Sequence, residues 1–169
     1  MTLGFYEGFP TNIHHIARLA TSTPEKKTQQ ALLETLGRLN TGTFSLETIA
    51  DPSIPNCTAR LEFGIAEANS FNYLDADETQ RTLKIISKQP FQVADFMCAA
   101  CYYRMEGTRK TPLRFDYFML RFTFEERQVE IQVCHERGPR YLSPEDMVRL
   151  FIDKVNATST KKILKAIAS

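Results

Sequence analysis

Two alternating runs followed by a capped helix constrain the fold of this chain more than any other stretch. Apolar residues occupy every second position on either side of a charged break at 125–127, namely Phe118, Leu120, Phe122 and Phe124, then Val129, Ile131 and Val133. A period of two is expected when successive side chains point to opposite faces of a sheet. The pattern therefore predicts a β-hairpin with one buried face.

A helix is predicted directly after this hairpin. Ser143 can cap it, Pro144 suits its first position, and Asp146 stands where a capping box places its acid. Its apolar stripe consists of Met147, Leu150, Phe151 and Val155. We expect this stripe to pack on the apolar face of the hairpin, with Phe151 against Phe122.

The N-terminal third of the chain is predicted to be mainly helical. Residues 3–9 suit a short strand, and a helix should open at Pro10 because Ile13, Ile16, Ala17 and Ala20 recur at helical spacing. A second helix should begin at Thr23-Pro24-Glu25, where a cap precedes proline. Residues 44–49 then suit a strand.

The middle and the end of the chain are predicted to contain both strands and helices. Residues 57–65 predict a strand with one buried face, and Asp75 or Asp77 can cap a helix that runs through Ile86. Residues 91–105 fit a strand or a buried helix, and a strand is favoured because a turn at Gly107 leads into the hairpin. A short final helix is expected through residues 163–167.

These elements predict one α+β domain over residues 1–169, with an antiparallel sheet of about five strands and helices packed on one face. The order of a strand, two helices, a sheet and a late helix is similar to the helix-grip architecture of ligand-binding proteins such as the START and Bet v 1 groups. This resemblance concerns element order and transfers no site.

Composition and charge indicate a soluble, cytoplasmic protein. The 169 residues carry 21 basic and 20 acidic side chains, so the net charge of +1 gives no global argument for nucleic acid or an anionic membrane as a partner. The N-terminal residues lack the pattern of a signal peptide, and no stretch is long and apolar enough to span a membrane. The four cysteines lie in apolar or alternating runs and are expected to be buried, reduced thiols.

Residue patterns typical of catalytic and metal sites are missing from the sequence. His14 and His15 have no partner at helical ligand spacing and are expected to be solvated. The lone Cys98–Cys101 pair is expected to pack in the core, because a zinc site would need two further ligands. We therefore predict no catalytic residues, no metal and no cofactor.

One candidate binding site remains, around the turn before the last helix. His135, Arg137 and Arg140 surround a Gly-Pro turn, and a helix N-terminus and arginine side chains attract anions. Arg104, Arg114 and Tyr103 lie one hairpin away and extend the set, as basic residues interleaved with aromatics suit single-stranded nucleic acid. A purely structural turn, in which the arginines pair with Glu130, Glu136 and Asp116, is nevertheless the favoured interpretation of this region.

Three functions follow from these observations. The favoured interpretation is a small non-enzymatic binding or interaction protein with an unknown ligand or partner, self-association included. The second is an RNA-binding module that uses the Arg104–Arg140 region. The third is an enzyme that acts on an anionic substrate with His135 and the arginines, and it ranks last because no nucleophile or metal set accompanies them.

Overall fold

One antiparallel sheet organises the residues described by the computed structural model, which are 3–50 and 54–167. The elements in chain order are β1 (His15–Thr21), α1 (Glu25–Leu39), β2 (Thr43–Ser45), α2 (Leu46–Ile49), β3 (Cys57–Glu67), β4 (Ser70–Tyr73), α3 (Ala76–Lys88), β5 (Val93–Glu106), β6 (Arg109–Glu125), β7 (Gln128–Arg137), α4 (Pro144–Asn156) and β8 (Leu164–Ala166). The strand order is β2-β3-β5-β6-β7-β1-β8, and β4 pairs with β3. The α+β class is confirmed, but the expected size of about five strands is wrong, because the sheet has eight.

The hairpin at the centre of the sheet is confirmed. β6 and β7 pair with Phe122 opposite Ile131 and Leu120 opposite Val133, so their apolar residues share one face. The turn has no glycine, and Arg127 adopts the required left-handed conformation with φ 61°. Residues 93–106 form β5 and pair with β6 along their length, which settles the ambiguous segment as a strand.

The α4 helix begins and packs as predicted. The Asp146 amide donates to Ser143 Oγ at 3.1 Å, and the Ser143 amide donates to Asp146 Oδ2 at 3.2 Å, which completes a capping box. The Phe151 ring lies with its centroid 6.1 Å from that of Phe122 and 5.9 Å from that of Phe63. The last helix therefore joins the core formed by the inner face of the sheet.

The helices do not form the single layer that the sequence suggested. α3 packs chiefly against α1 rather than against the sheet. A Cβ added at Gly37 would lie 2.9 Å from the Thr79 side chain, so the two helices approach as closely as a glycine permits. α2 is a single turn beside β2 and β3, and it occupies part of the stretch 44–49 that was expected to be a strand.

Two predicted helices are strands, at opposite ends of the chain. Residues 15–21 form β1 between β7 and β8, and Ile16, assigned to an apolar helical stripe, is 47% exposed. Residues 164–166 form β8, where Leu164 pairs with Thr21. The expected order of one strand and two helices before the sheet is therefore wrong, because one helix, α1, follows β1. Pairing with a neighbouring strand overrides the local helical spacing in both segments.

Residues 3–14, which we call the strap, cross the outer face of the sheet instead of forming the expected strand at 3–9. The Gly4 amide donates to Ala66 O at 2.7 Å, the Tyr6 amide donates to Asp95 Oδ2 at 2.8 Å, and the His14 amide donates to Val133 O at 3.0 Å. These contacts reach from β3 across β5 to β7. Gly4 has φ 95°, which breaks an extended conformation at this point.

A buried ion pair fixes the strap to the outer face. Arg121 donates from Nε and Nη2 to the two oxygens of Asp95 at 2.8 and 2.9 Å, and Asp95 is fully buried. The Arg121 guanidinium also lies 4.3 Å from the centre of the Phe9 ring. Asp95 on β5 and Arg121 on β6 are directly opposite each other in the strand register. The pairing of the two strands therefore holds the carboxylate and the guanidinium in position for both hydrogen bonds.

The interior beside Phe122 is nearly solid. The cavity between the sheet and helices α1 and α4 measures about 10 Å³, which is at most the room of one water molecule. This place cannot hold the apolar ligand that a binding cavity between sheet and helices would require. Among the described residues, no helix is long and apolar enough to cross a membrane.

Candidate functional site

The β5–β6 hairpin extends beyond the rest of the sheet and carries most of the candidate residues. β3 accompanies β5 as far as Arg104, and β7 accompanies β6 from Tyr117 onward, so the tip between these positions is a two-stranded ribbon. The pairing of β5 and β6 shifts between Cys101 and Tyr103, where β6 contains one extra residue. A bulge of this kind increases the local twist of the strands.

Asp116 is the central side chain at the base of the ribbon. It is fully buried and accepts four hydrogen bonds, from Tyr102 Oη at 2.5 Å, His135 Nε2 at 2.7 Å, the Arg140 amide at 2.8 Å and the Tyr141 amide at 2.9 Å. Four donors match the four lone-pair sites of one carboxylate. Burial, and then the bond to Asp116, raises the pKa of Tyr102, so its phenol remains a neutral donor.

His135 belongs to this interior network. Its Nε2 carries a proton in the bond to Asp116, because a carboxylate only accepts. Its backbone amide donates to His14 Nδ1 at 2.9 Å, and its ring lies edge-on to Phe118 at 5.3 Å. His14 is therefore engaged and half-buried rather than solvated, and His15 is also half-buried, with Nδ1 3.6 Å from Glu145 Oε1.

The turn after His135 packs tightly against the carboxylate of Asp116. Gly138 has φ 116°, and a Cβ added there would lie 2.2 Å from Phe115 O and 2.4 Å from Asp116 Oδ1. Only glycine fits this approach. Arg140 also has a positive φ of 60°, which its amide bond to Asp116 helps to hold. The Gly-Pro turn is thus attached to the base of the ribbon.

Aromatic and basic side chains line the outer face of the ribbon. Phe115 is 46% exposed and stacks on Tyr117 with a centroid distance of 6.1 Å and an interplanar angle of 17°. The Arg137 guanidinium lies 4.5 Å from the centre of the Tyr117 ring, and Lys110 Nζ lies 4.2 Å from that of Tyr103. We call these five residues the aromatic–basic strip. Strand alternation and the pairing of Cys101 with Phe115 put Tyr103 on the same face as Phe115.

The basic residues of this region are not neutralised by neighbouring acids. Within residues 3–50 and 54–167, no ion pair is formed by Arg104, Arg109, Lys110, Arg114, Arg137 or Arg140. Of the acids considered as their partners, Glu130 pairs with Arg18 at 3.1 Å and Asp116 binds His135, while Glu136 forms no ion pair among the described residues. Residues 103–115 hold four basic residues and one acid, a net charge of +3.

A groove begins where the aromatic–basic strip ends. It has a volume of about 440 Å³ and lies between the strap and strands β4 to β7. Its lining consists of Tyr6, Gly8, Phe71, Met97, Tyr117, Phe118, Met119, Glu136 and Arg137. Tyr117 and Arg137 belong to both the strip and the groove, so the two form one continuous surface. Glu136 is exposed, with Oε1 3.9 Å from Cys134 Sγ.

The structure brings together only part of the candidate set. Tyr103 and Arg137 lie on the strip, and Arg114 lies in the bulge between Pro112 and Phe115. Arg104 is exposed on the opposite face of the ribbon from Tyr103, as strand alternation requires. Arg140 is exposed beside the turn, whereas His135 is buried.

Two important residues were absent from the sequence-based set. Phe115 was missed because it continues no long apolar run, although a phenylalanine two residues from Tyr117 on a strand must share its face. Asp116 was considered only as an ion-pair partner for arginine. The sequence does indicate that Asp116 is buried, because on strand β6 its side chain points to the same face as those of Phe118 and Leu120, which are buried.

None of the four cysteines lines the groove. Cys57, Cys98, Cys101 and Cys134 are all buried free thiols. Burial raises the pKa of the Cys98 thiol well above its usual range, which disfavours the reactive thiolate. In the described part of the chain, no three His, Cys, Asp or Glu side chains are placed to hold a metal ion.

Comparison with family models, with curated proteins and with solved structures finds no match for this chain.

Proposed function

We propose that this chain is a non-catalytic binding protein that holds single-stranded nucleic acid on its aromatic–basic strip. The observation that carries the proposal is the exposed stack of Phe115 on Tyr117 beside Arg137. An exposed aromatic ring offers a stacking surface to any unpaired base, and such contacts are worth about 1–3 kcal/mol per base. A base placed on Phe115 would continue the existing stack.

Charge supports the same ligand. The strip and its ribbon combine a net charge of +3 over residues 103–115 with a whole-chain charge of only +1, so the positive potential is local. Lys110 and Arg137 lie against tyrosine rings and are not held by acids, which leaves their charges available to phosphates. From Lys110 to Tyr117, the strand spans about 23 Å at roughly 3.3 Å per residue, which suits a short site of about four nucleotides.

Two other functions receive less support. An apolar ligand between sheet and helices is disfavoured by the cavity of about 10 Å³ at that place. An enzyme that uses His135 would need this ring to reach a substrate, but His135 is 9% exposed and its Nε2 is bonded to Asp116.

The test is binding of labelled 12-nucleotide RNA and DNA, single-stranded and duplex, by fluorescence anisotropy at low salt. We expect the single strands to bind, and the duplex to bind at least tenfold more weakly because its bases are not free to stack. Phe115→Ala should weaken binding by about tenfold or more. The matched control is Tyr73→Ala, because Tyr73 is an aromatic residue of equal exposure (47%) away from the strip.

Two results would overturn the proposal. One is the absence of single-strand binding by the wild-type protein at the highest concentration reached. The other is equal affinity in wild type and Phe115→Ala, which would place any binding elsewhere. Since Phe115 is exposed, its replacement should change the free energy of unfolding by no more than about 0.5 kcal/mol.

A further inference from the structure

The groove beside the strip has the size and the chemistry of a pocket for one nucleobase. Its volume of about 440 Å³ lies within the range of roughly 300–1,000 Å³ that is usual for small-molecule sites. Tyr6, Phe71 and Met97 supply apolar and aromatic walls, while Tyr117 connects the groove to the stack on Phe115. A strand that follows the strip would therefore reach the groove with its next base.

Two charged side chains define what the groove can recognise. Glu136 provides two acceptor oxygens, and Arg137 provides guanidinium donors beside the Tyr117 ring. Within the described residues, Glu136 forms no ion pair, so its carboxylate is not committed to a cation of the protein itself. A carboxylate at the mouth of a basic strip would repel phosphate, so it favours a neutral group that donates hydrogen bonds.

Among the four bases, guanine alone presents two adjacent donors, N1–H and the N2 amino group, on its Watson–Crick edge. A carboxylate can accept both at once, whereas adenine and cytosine offer one amino group beside an acceptor that the carboxylate would repel. Uracil offers a single imide N–H between two carbonyls. The complementarity of Glu136 is thus greatest for guanine.

We propose that the groove receives one unstacked guanine of the bound strand, with Glu136 accepting from N1–H and N2–H, the base lying among Tyr6, Phe71 and Tyr117, and Arg137 facing the adjoining phosphate. This inference rests on the proposed function, because the strip must bind the strand for the base to reach the groove. It assigns sequence preference to the groove and general affinity to the strip.

The test compares labelled oligouridine with the same oligomer containing one central guanosine. For wild type we expect about tenfold tighter binding of the guanosine oligomer, as is typical of a contact with two hydrogen bonds. Replacing that guanosine by inosine, which lacks the N2 amino group, should remove most of the preference. Glu136→Gln should bind both oligomers with the affinity that wild type shows for oligouridine, because an amide has one acceptor oxygen.

The control and the opposing outcomes separate this inference from the proposed function. Glu34→Gln, an exposed acid on α1 away from the groove, should keep the preference. Oligouridine binding without preference for guanosine would overturn the inference and leave the proposed function intact. A preference that persists in Glu136→Gln would also overturn it. Failure of every oligomer to bind would overturn both. Thermal unfolding of each variant checks that Glu136→Gln folds as wild type does.

Discussion

Asp116 shows how one residue can join three segments that lie far apart in the chain. Its carboxylate receives donors from β5, from β7 and from the turn after β7. A buried carboxylate is costly unless it is paired and fully hydrogen-bonded, and four donors meet that condition here. The turn at Gly138 and the base of the ribbon are therefore held in one arrangement, on which the strip depends.

We expect Asp116→Asn to lower the free energy of unfolding by about 3 kcal/mol, because the amide replaces one acceptor oxygen by a donor that faces other donors. Tyr102→Phe should cost only about 1 kcal/mol, since it removes one donor and leaves three. Urea unfolding of both variants measures the difference. Equal losses in the two variants would show that the network does not depend on the carboxylate.

The sequence could reveal part of this network. Asp116 stands in phase with Phe118, Leu120 and Phe122, so alternation alone predicts a buried acid. Its donors could not be predicted, because Tyr102 meets it through a strand register that the sequence does not reveal, in which Ala100 pairs with Asp116, and Tyr141 meets it through the close approach of the turn at Gly138. A bulge shifts the strand register by one residue, and the residue pattern does not record that shift.

At the scale of whole elements, helices and strands were predicted correctly where the sequence shows a regular apolar pattern or a capping residue. The β6–β7 hairpin, α4 and α3 were predicted because a strict alternation or a capping residue marks each of them, and Asp75 accepts from the Glu78 amide at 2.9 Å. α1 also lies where it was predicted, but Pro24 rather than Thr23 is its N-cap residue and no side chain caps it. β1 and β8 were misassigned as helices because each is short and its pairing partner is distant in sequence. Long-range pairing decides such segments, and local spacing does not.

The packing of α4 on the sheet provides a direct test at this scale. Phe151→Ala should lower the free energy of unfolding by about 3–5 kcal/mol, because its fully buried ring contacts both Phe122 and Phe63. Asp153→Ala is the control, since Asp153 is exposed on the same helix and should cost no more than about 0.5 kcal/mol. A loss below about 1 kcal/mol for Phe151→Ala in chemical denaturation would contradict this packing.

At the scale of the whole molecule, positive charge is concentrated on one ribbon of a nearly neutral protein. Single-strand binding through two to four phosphate contacts should give a slope of log K against log salt concentration of about −1.4 to −2.8. The double variant Lys110→Ala/Arg137→Ala should make this slope shallower by about 1.4.

Lys27→Ala, which removes an exposed charge from α1, is the control for that measurement and should leave the slope unchanged. Titration of anisotropy over a range of potassium chloride concentrations gives the three slopes. A slope near zero for wild type would mean that binding does not involve phosphates, and an unaltered slope in the double variant would mean that other cations make the contacts.

The pairing of β1 with β7 also has a consequence for the order in which the strands of the sheet fold during synthesis. His15 pairs with Val133, so an early strand acquires its central partner only after more than a hundred further residues have been synthesised. Until then, β1 lacks this partner, and the strap can contact only β3 and β5, through Ala66 and Asp95. Closing so long a loop is slow compared with local hairpin formation. The β5–β6–β7 meander can therefore assemble first on the ribosome, and β1 must join β7 before β8 can complete the sheet.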